Sequence, residues 1–407
     1  MILKLLLSIA YRYLWTKHNF GFITFSTIFS IVGMVFGISS LIIISCISDG
    51  FNYTINSKLS KVDGHLRIYN YIHNKVDRHE VDFIDSLISL NKNLVNYSSE
   101  YIEERALIKY GSVTKSVIVY GVPEKTLEEI FYLNEFTEFP PVFNNNNSVI
   151  IGSQLSEDLS VNIGQNITLI NPIKLGFNNS INLKNINIDN VFKTNFPEYD
   201  RLLIYIPLKL AQDFFNYKNN VSGVIVNCKD DKYISTINNF LNNNFQGTLF
   251  SVSTWKDRHS NLLKWLNVYD VPIKLIVLFI IIVAIFNSYS TLWMIIIEKK
   301  KEYSVLLALG LSKNNISIIV FIQGLIISII SSAIAILLSF FILYFEKIFH
   351  FIVLPDDIYF MSYLPVKISF MPFLVYPLLT VIANILFIYF PLKNTFSNSI
   401  SDSLRYE

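Results

Sequence analysis

The hydrophobic positions of this chain fall into two distinct patterns. Four long stretches are almost free of charged residues, and between the first and second of them the pattern changes to short alternations of apolar and polar positions. Because about 20 consecutive apolar residues cross the hydrocarbon of a bilayer, each long stretch predicts a transmembrane helix. The four predicted spans are residues 20–47, 271–297, 316–345 and 368–392.

The segment between the first two spans predicts a large α+β domain over residues 48–270. Short segments in which apolar and polar residues alternate, or that form a brief apolar run, are typical of strands. The predicted strands are residues 65–69, 116–120 and 202–206. The predicted helices are residues 81–90, 126–131, 154–159 and 208–215. The Asn-rich segment 171–190 predicts a hairpin or a loop.

The positions of lysine and arginine near the spans predict the orientation of the chain. The leader carries Lys4, Arg12 and Lys17, and the loop between the second and third spans carries three lysines at 299–301. Cytoplasmic loops are enriched in these residues, so both termini are predicted to be cytoplasmic and residues 48–270 to lie outside the cytoplasm. The remaining predicted segments are an interfacial amphipathic helix at 1–19, a short cytoplasmic helix at 298–315, a short external loop at 346–367 and a cytoplasmic tail at 393–407.

Composition supports a membrane protein and argues against a nucleic-acid binder. Of the 407 residues, 52% are hydrophobic and 16% are charged, whereas soluble domains carry about 25% charged residues. The 33 Lys and Arg residues nearly balance the 31 Asp and Glu residues, and a nucleic-acid binder usually shows a basic stripe. The two cysteines, Cys46 and Cys228, are too few for a disulfide framework, and we expect both to be unpaired and buried.

Motifs that would indicate catalysis are missing from the sequence. A phosphate-binding loop requires the pattern G-x-x-x-x-G-K-[ST], which the chain lacks, so ATP hydrolysis is not predicted on this chain. His73, Asp77, His79 and Glu80 lack the spacing of a metal site and are interpreted as a solvated turn. We therefore expect neither a catalytic residue nor a cofactor nor a metal.

Two pairs of neighbouring glutamates, at residues 103–104 and 128–129, could in principle act as acid–base pairs. Adjacent residues on a helix point in different directions, so both pairs are interpreted as exposed helical charges.

The predicted spans contain uncharged polar residues and no ionisable residue near their centres. Ion-coupled transporters place ionisable groups there, so we expect the energy for any transport to come from elsewhere. Asn287 and Asn384 are expected to form hydrogen bonds between helices. Gly33 and Gly37 form a small-xxx-small pattern that favours close helix packing.

Residues 298–310, EKKKEYSVLLALG, are the most informative cytoplasmic segment. Glu298 and Glu302 are four residues apart and would share one face of a helix. Leu306 and Leu309 continue an apolar stripe, and Gly310 can end the helix. A short amphipathic helix held between two spans is suited to bind a soluble partner.

Seven stretches of the chain together resemble one family of membrane proteins. They are GMVFGISSLIIISCISDGF, GHLRIY, IIGSQLSEDLSVNIGQNITLI, VFKTNFPEYDRLLIYIPL, TWKDRHSNLL, FNSYSTLWMIIIEKKKEYSVLLALGLS and the C-terminal SLRYE. In this order and over nearly the whole chain, they resemble the LolC/LolE lipoprotein-releasing permeases. That family lies within the wider class of FtsX-like and MacB-type permeases.

The resemblance implies the permease of an ABC transporter, a membrane protein with four transmembrane helices and a large α+β domain between the first and second spans. It implies that the external segments are periplasmic and that the helix at 298–315 is a coupling helix. It implies that the protein extracts lipoproteins from the inner membrane for a periplasmic carrier, while a separate subunit hydrolyses ATP. The implied partners are cytoplasmic ABC ATPase subunits, a second permease (self or paralogue), the periplasmic carrier, lipoprotein substrates and membrane lipids. An efflux permease and an FtsX-like regulator of cell-wall hydrolysis remain as alternatives.

The resemblance also assigns roles to individual residues of this chain. The ATPase-coupling residues are Glu298, Glu302, Leu306 and Gly310. The candidate residues of an acyl-chain cavity are Phe36, Ile43 and Phe286. The candidate residues of a carrier-docking loop are Pro172, Lys174 and Phe177.

Overall fold

The computed structural model describes residues 2–14, 22–172 and 182–395. The chain separates into two compact units, which we call the helical unit and the sheet unit. The helical unit comprises Met1–Asn52, Trp265–Ile352 and Leu364–Glu407. The sheet unit comprises Tyr53–Lys264 and Val353–Tyr363.

Helices occur in both units, and the long ones are strongly apolar. The helices are α1 (Ile2–Leu14), α2 (Phe22–Asp63), α3 (Arg78–Ser89), α4 (Glu124–Glu129), α5 (Ser153–Leu159), α6 (Pro197–Leu202), α7 (Leu208–Phe215), α8 (Lys232–Asn244), α9 (Trp255–Arg258), α10 (Ser260–Glu298), α11 (Lys300–Ala308), α12 (Lys313–Phe349), α13 (Asp356–Tyr359) and α14 (Phe370–Thr395). Within the described residues, α2, α10 and α12 are long and apolar enough to cross a membrane, and Phe370–Leu386 of α14 is a shorter apolar helix.

The helices that contain the first two predicted spans extend well beyond the apolar residues. Helix α2 continues past residue 47 to Asp63, and α10 begins at Ser260 rather than near residue 271. Hydropathy locates the part of a helix that tolerates lipid, whereas a change in backbone conformation ends the helix. Gly64 provides that change after α2, since its φ of +68° lies in the left-handed region that commonly terminates helices.

Small residues of α2 let α10 approach closely within the helical unit. A Cβ atom added at Gly33 would overlap Asn287 Nδ2, and one added at Gly37 would lie 3.4 Å from Ala284 Cβ. The packing face predicted from the two glycines is therefore confirmed. Asn384 of α14 donates a hydrogen bond of 2.6 Å to Ser328 Oγ of α12, which confirms the predicted interhelical role of Asn384.

The described residues of the sheet unit contain nine strands. The longest of them, β2, takes part in two groups of paired strands. The strands are β1 (Leu66–Asn70), β2 (Val95–Tyr110), β3 (Val113–Val122), β4 (Ser148–Gly152), β5 (Asn166–Ile170), β6 (Leu183–Phe192), β7 (Leu203–Pro207), β8 (Gly223–Cys228) and β9 (Phe250–Thr254). Their order is β3-β7-β4-β6-β5-β2-β8-β1-β9, and β3 also pairs with β2. Six strands thus pair in a closed ring, and β2 also belongs to a four-stranded sheet with β8, β1 and β9.

Most of the secondary structure predicted for this unit is confirmed. The predicted strands correspond to β1, part of β3 and β7, and the predicted helices correspond to α3, α4, α5 and α7. Strands β5 and β6 pair antiparallel from Asn166 with Asn187 to Ile170 with Leu183. The Asn-rich segment therefore belongs partly to a hairpin, whose residues 173–181 lie outside the described ones.

Aromatic side chains form the core next to the ring of strands. Tyr205 of β7 has its ring centroid 5.1 Å from Phe131, 5.5 Å from Phe192 and 5.8 Å from Tyr120. All four side chains are buried, and aromatic pairs at such distances stabilise a core beyond the area they bury. The predicted burial of Cys46 and Cys228 as free thiols is also confirmed.

We predict that Gly152→Ala strongly destabilises the sheet unit. Gly152 ends β4, and an added Cβ would overlap the carbonyl oxygen of Asp200 and lie 2.6 Å from its Cα. A backbone cannot rotate away as a side chain can, so we expect a loss of about 3 kcal/mol, the upper range for overpacking. The measurement is thermal unfolding of the full chain in detergent.

Gly111→Ala provides the control for this prediction. A Cβ at Gly111 meets nothing within 4 Å, and its φ is +57°, so the expected cost is only the backbone strain of about 1 kcal/mol. Equal losses of unfolding free energy in the two variants would contradict the close approach of Gly152 to Asp200.

Candidate functional site

A buried charged cluster gathers around the carboxylate of Asp63, the last residue of α2. Arg258 Nε, just before α10, donates to Asp63 Oδ2 at 2.6 Å, and its Nη2 donates to the Asp63 carbonyl at 2.9 Å. His259 Nε2 lies 2.9 Å from the same carboxylate oxygen and 2.7 Å from the hydroxyl of Tyr199. The cluster therefore joins the end of α2 to the residues that precede α10, inside the sheet unit.

Arg67 of β1 completes the cluster on the other side of Asp63. Its guanidinium donates to Asp63 and Glu103 and, at 2.8 Å, to the hydroxyl of Tyr120. Its Cζ lies 5.2 Å from the ring centroid of Tyr101 and 4.9 Å from that of Tyr120. Two aromatic faces and two carboxylates thus surround one guanidinium, a geometry to which a planar arginine is better suited than a lysine.

Electrostatics explains how such a charged group stays buried. Arg67 is 3% exposed and Asp63 is 4% exposed, and burial by itself disfavours both charges. Burial lowers the pKa of Arg67, but attraction by Asp63, Tyr120 and Glu103 outweighs this effect and raises the pKa well above its usual value. Two carboxylates and the two guanidiniums of Arg67 and Arg258 balance, so the cluster is neutral when His259 is neutral.

The chemistry of the cluster is suited to holding chain segments together. His259 contacts a carboxylate and a phenol, whereas nucleophilic catalysis requires a hydroxyl or thiol of high reactivity beside the base. Burial raises the pKa of Tyr199 well above its usual value of 10.0, so this phenol stays protonated. A cavity of about 500 Å³ adjoins the cluster, and Arg67, Arg258, Tyr101 and Glu103 are among the residues that line it.

The helical interpretation of Glu103 and Glu104 is wrong, because both residues lie on strand β2. Glu103 pairs with Arg67, and Glu104 Oε1 accepts a hydrogen bond of 2.8 Å from the hydroxyl of Tyr217. In the run EYIEERALIKY, apolar and polar residues do not alternate strictly. Different strands pair with different parts of this run: β8 with its start, β3 with the remainder, and β5 with residues 107–109. The isolated positive residue Arg67, in an otherwise apolar strand pattern, was the available indication of a buried ion pair.

Two of the four residues considered as metal ligands, Asp77 and Glu80, cap a helix instead. Asp77 Oδ1 accepts from the backbone N–H of Glu80 at 2.9 Å, and Glu80 Oε2 accepts from the N–H of Asp77 at 2.8 Å. This reciprocal pair is a capping box at the start of α3. The described residues contain no group of three or more His, Cys, Asp or Glu residues arranged to hold a metal ion.

The segment predicted to couple to an ATPase is divided between two helices. Helix α10 ends at Glu298 and α11 begins at Lys300, so the four-residue spacing does not place Glu298 and Glu302 on one helical face. The side chain of Glu298 lies outside the described part of the chain. Glu302 pairs with Lys299, and Gly310, with a φ of +97°, lies in the turn after α11.

Helix α11 has one face packed inside the helical unit and one face exposed. Tyr303 is buried among residues of α1 and α12, and its hydroxyl donates to Gln323 Oε1 at 3.2 Å. Leu306 packs against the same cluster. Val305 is 51% exposed and Leu309 is 78% exposed, so these two apolar residues form the accessible side. The predicted apolar stripe is therefore divided, with Leu306 packed inside and Leu309 exposed, and Val305 was not singled out by the sequence.

The three candidate cavity residues differ in their surroundings. Phe36 is 62% exposed and Phe286 is 69% exposed. Ile43 instead packs in a cluster formed by side chains of α2, α12 and α14. A single copy of the chain therefore partly buries Ile43 and leaves the two phenylalanines on its apolar surface.

The candidate docking loop begins at the end of β5. Pro172 is partly buried, whereas Lys174 and Phe177 lie outside the described residues. A cavity of about 450 Å³ lies at the base of this hairpin, and Asn182, Lys184 and Lys209 are among the residues that line it.

We predict that Asp63→Asn destabilises the sheet unit much more than Glu135→Gln, although both replace a carboxylate by an amide. Removing one partner of a buried ion pair leaves an uncompensated charge, which costs about 3–5 kcal/mol. The Lys61–Glu135 pair is exposed, with Glu135 49% accessible, and such pairs contribute about 1 kcal/mol or less. Thermal unfolding of both full-length variants tests the difference, and similar losses would contradict the special role of Asp63.

Comparison with known proteins identifies both parts of the chain. The family model described as the MacB-like periplasmic core domain matches residues 27–242, and that described as the FtsX-like permease C-terminal domain matches residues 274–400. Among solved structures, the periplasmic region of MacB from Actinobacillus actinomycetemcomitans is 11% identical with a TM-score of 0.34, covering 52% of this chain and 97% of that one.

Curated relatives match over nearly the full length. The lipoprotein-releasing system transmembrane protein LolC of Buchnera aphidicola subsp. Schizaphis graminum is 28% identical over 408 residues, covering 97% of this chain and 98% of the relative. LolC of Neisseria meningitidis serogroup B is 22% identical over 413 residues, covering 98% of each chain. The chain therefore belongs to the family of permeases with a MacB-like periplasmic core domain and an FtsX-like permease domain, the family that includes LolC and LolE.

Proposed function

We propose that this chain is the permease subunit of an ABC transporter that extracts lipoproteins from the inner membrane and delivers them to a periplasmic carrier. The observation that carries the proposal is similarity across 97% of the chain to a protein named as a transmembrane component of a lipoprotein-releasing system. A separate subunit supplies ATP hydrolysis, and the chain itself is not an enzyme.

The proposed topology has four spans, with both termini in the cytoplasm and the sheet unit in the periplasm. Helices α2, α10 and α12 are long and apolar enough to serve as spans, and α14 supplies the fourth. The lysine-rich turn at α11 favours a cytoplasmic position by the positive-inside rule.

The proposed reaction requires energy from outside the chain. Removing a lipid anchor from a bilayer costs about 0.8 kcal/mol for each buried CH₂ group. The sequence contains no phosphate-binding loop, so the energy must reach the spans mechanically. Helix α11 is suited to receive it, because Tyr303 and Leu306 fix it to α1 and α12 while Val305 and Leu309 remain accessible.

A second permease, either another copy or a paralogue, completes the proposed transporter. Only 6% of the apolar stretch of α10 is buried within the chain, compared with 44% for α2 and 33% for α12. Lipid can cover part of this surface, and the second permease is proposed to cover the remainder. Phe36 and Phe286 are exposed, so they are available to line an acyl-chain cavity between the two permeases, with Ile43 packed behind.

The periplasmic carrier is proposed to dock at the β5–β6 hairpin. Pro172 stiffens the chain where it leaves β5, because proline fixes φ, and Lys174 and Phe177 follow in sequence. The cavity at the hairpin base adds the cations Lys184 and Lys209, which would complement an acidic surface on the carrier.

We predict that Leu309→Glu weakens association with the ATPase by at least about tenfold, as expected for loss of an apolar anchor at an interface. Leu309 is 78% exposed at the end of α11, so the substitution leaves the packing of the chain intact. The measurement is the amount of ATPase that co-purifies with the full-length permease.

Leu90→Glu is the matched control, since Leu90 is 72% exposed in the sheet unit. It should retain association with the ATPase at the level of the parent. Unchanged co-purification of Leu309→Glu would exclude this face of α11 as the docking surface.

We predict ATP-dependent release of lipoproteins by the complete complex. Membranes would contain this chain, the second permease of the complex and the ATPase, and they would be loaded with an acylated lipoprotein. The periplasmic carrier would then be added in solution. The expected result is soluble lipoprotein bound to the carrier only when ATP is present. Retention of all lipoprotein in the membrane, together with ATP-dependent export of a soluble compound or activation of a cell-wall hydrolase, would instead support one of the alternatives.

A further inference from the structure

Residues 194–200 of the sheet unit comprise a turn and the first residues of α6, and their own side chains hold them together. We call this segment the junction turn. Asp200 Oδ1 accepts from the N–H and hydroxyl of Thr194 at 2.9 and 2.7 Å, and Oδ2 accepts from the N–H of Asn195 at 3.0 Å. Thr194, Phe196 and Asp200 are each at most 2% exposed. The junction turn is therefore a rigid element with a fixed shape.

The junction turn contacts the end of α2 and the residues that precede α10. Lys58 Nζ donates to the carbonyl of Thr194 at 3.3 Å. The hydroxyl of Tyr199 lies 2.7 Å from His259 Nε2, and His259 in turn contacts Asp63 at 2.9 Å. One turn thus contacts α2 through Lys58 and the charged cluster through Tyr199.

The same turn also holds the segment Val353–Tyr363, which connects α12 to α14. The ring of Phe196 stacks on that of Phe360 with centroids 4.8 Å apart. Asn195 Nδ2 donates to Ser362 Oγ at 3.3 Å, and Lys58 Nζ donates to the carbonyl of Phe360 at 3.0 Å. Residues of a short linker between two apolar helices are therefore packed into the sheet unit.

The segments that the junction turn contacts all adjoin positions where the chain passes from one unit to the other. The chain passes between the helical unit and the sheet unit four times, at residues 52–53, 264–265, 352–353 and 363–364. The junction turn or its direct partners contact the sheet-unit segment that adjoins each passage: Lys58 and Asp63, His259, and Phe360 and Ser362. Any displacement of these segments therefore acts on one rigid turn.

The strands that flank the turn connect it directly to the ring of strands. β6 ends at Phe192 just before the turn, and β7 begins at Leu203 just after it. The backbone of Asp200 also approaches Gly152 at the end of β4, where no Cβ fits. These three strands are neighbours in the ring, in the order β7-β4-β6.

We propose that the junction turn is the mechanical junction through which movement of the chain segments joined to the apolar helices is transferred to the ring of strands. This inference rests on the proposed transport function and adds its coupling residues. Tyr199 is the positioning residue, because its hydroxyl joins the turn to His259 and thereby to the cluster around Asp63. Coupling between sites requires a contiguous packed network of this kind.

The experiment compares Tyr199→Phe with the parent chain in the reconstituted full complex. The substitution removes the hydroxyl that contacts His259 and keeps the ring that packs edge-on against Phe196 at 5.9 Å. ATP hydrolysis and assembly should be unchanged, whereas lipoprotein released per ATP hydrolysed should fall about fivefold, the factor expected for one lost hydrogen bond in a coupling equilibrium.

Tyr217→Phe is the matched control, because it removes a buried hydroxyl that contacts Glu104 at 2.8 Å and Ser222 at 3.2 Å in the same unit. It should leave release per ATP within twofold of the parent. Normal coupling in Tyr199→Phe, or an equal loss in both variants at equal melting temperature, would overturn the proposal.

A second measurement separates this inference from the proposed function. Amide hydrogen exchange of the full complex would be recorded with and without a non-hydrolysable nucleotide. The parent should show a nucleotide-dependent change in β4 and β7 that Tyr199→Phe reduces and Tyr217→Phe retains. A parent that shows this change but releases no lipoprotein would refute the proposed function and leave the junction standing, whereas a parent without the change would refute the junction.

Discussion

The ion pair between Asp63 and Arg258 is the interaction on which the organisation of the sheet unit depends. A buried carboxylate is tolerated only when cations and hydrogen-bond donors surround it, and Asp63 receives them from Arg67, Arg258 and His259. These partners come from β1 and from the residues before α10, which are far apart in sequence. Satisfying one charge thus fixes the end of one long helix against the start of another.

The same requirement explains why the surrounding residues are aromatic and hydroxylated. Tyr101 and Tyr120 present ring faces to the Arg67 guanidinium, which compensates for lost hydration without adding another charge. Tyr199 provides a phenol that burial keeps protonated. The two carboxylates and the two guanidiniums of the cluster balance in charge, and their hydrogen bonds are strongly directional. These properties are suited to transmitting displacement and poorly suited to nucleophilic chemistry.

The two units differ in structure. The helical unit contains apolar helices joined by small residues at Gly33 and Gly37, and helix α11 exposes Val305 and Leu309. The sheet unit contains a closed ring of strands with a rigid turn beside the positions where the chain enters it. The proposed function assigns the receipt of mechanical work to the helical unit and the handling of lipid-anchored cargo to the sheet unit.

The sequence by itself determined the apolar helices, much of the secondary structure of the sheet unit, and the family, because these follow from local periodicity and from extended motifs. It predicted the glycine packing face correctly, since small residues at a four-residue spacing fall on one side of a helix. Only the tertiary structure decided that Glu103 pairs with Arg67, that Leu306 is internal while Leu309 is exposed, and that residues 194–200 join three distant segments. Those facts depend on which parts of the chain meet after folding, and a local pattern holds no information about partners 36 to 302 residues away.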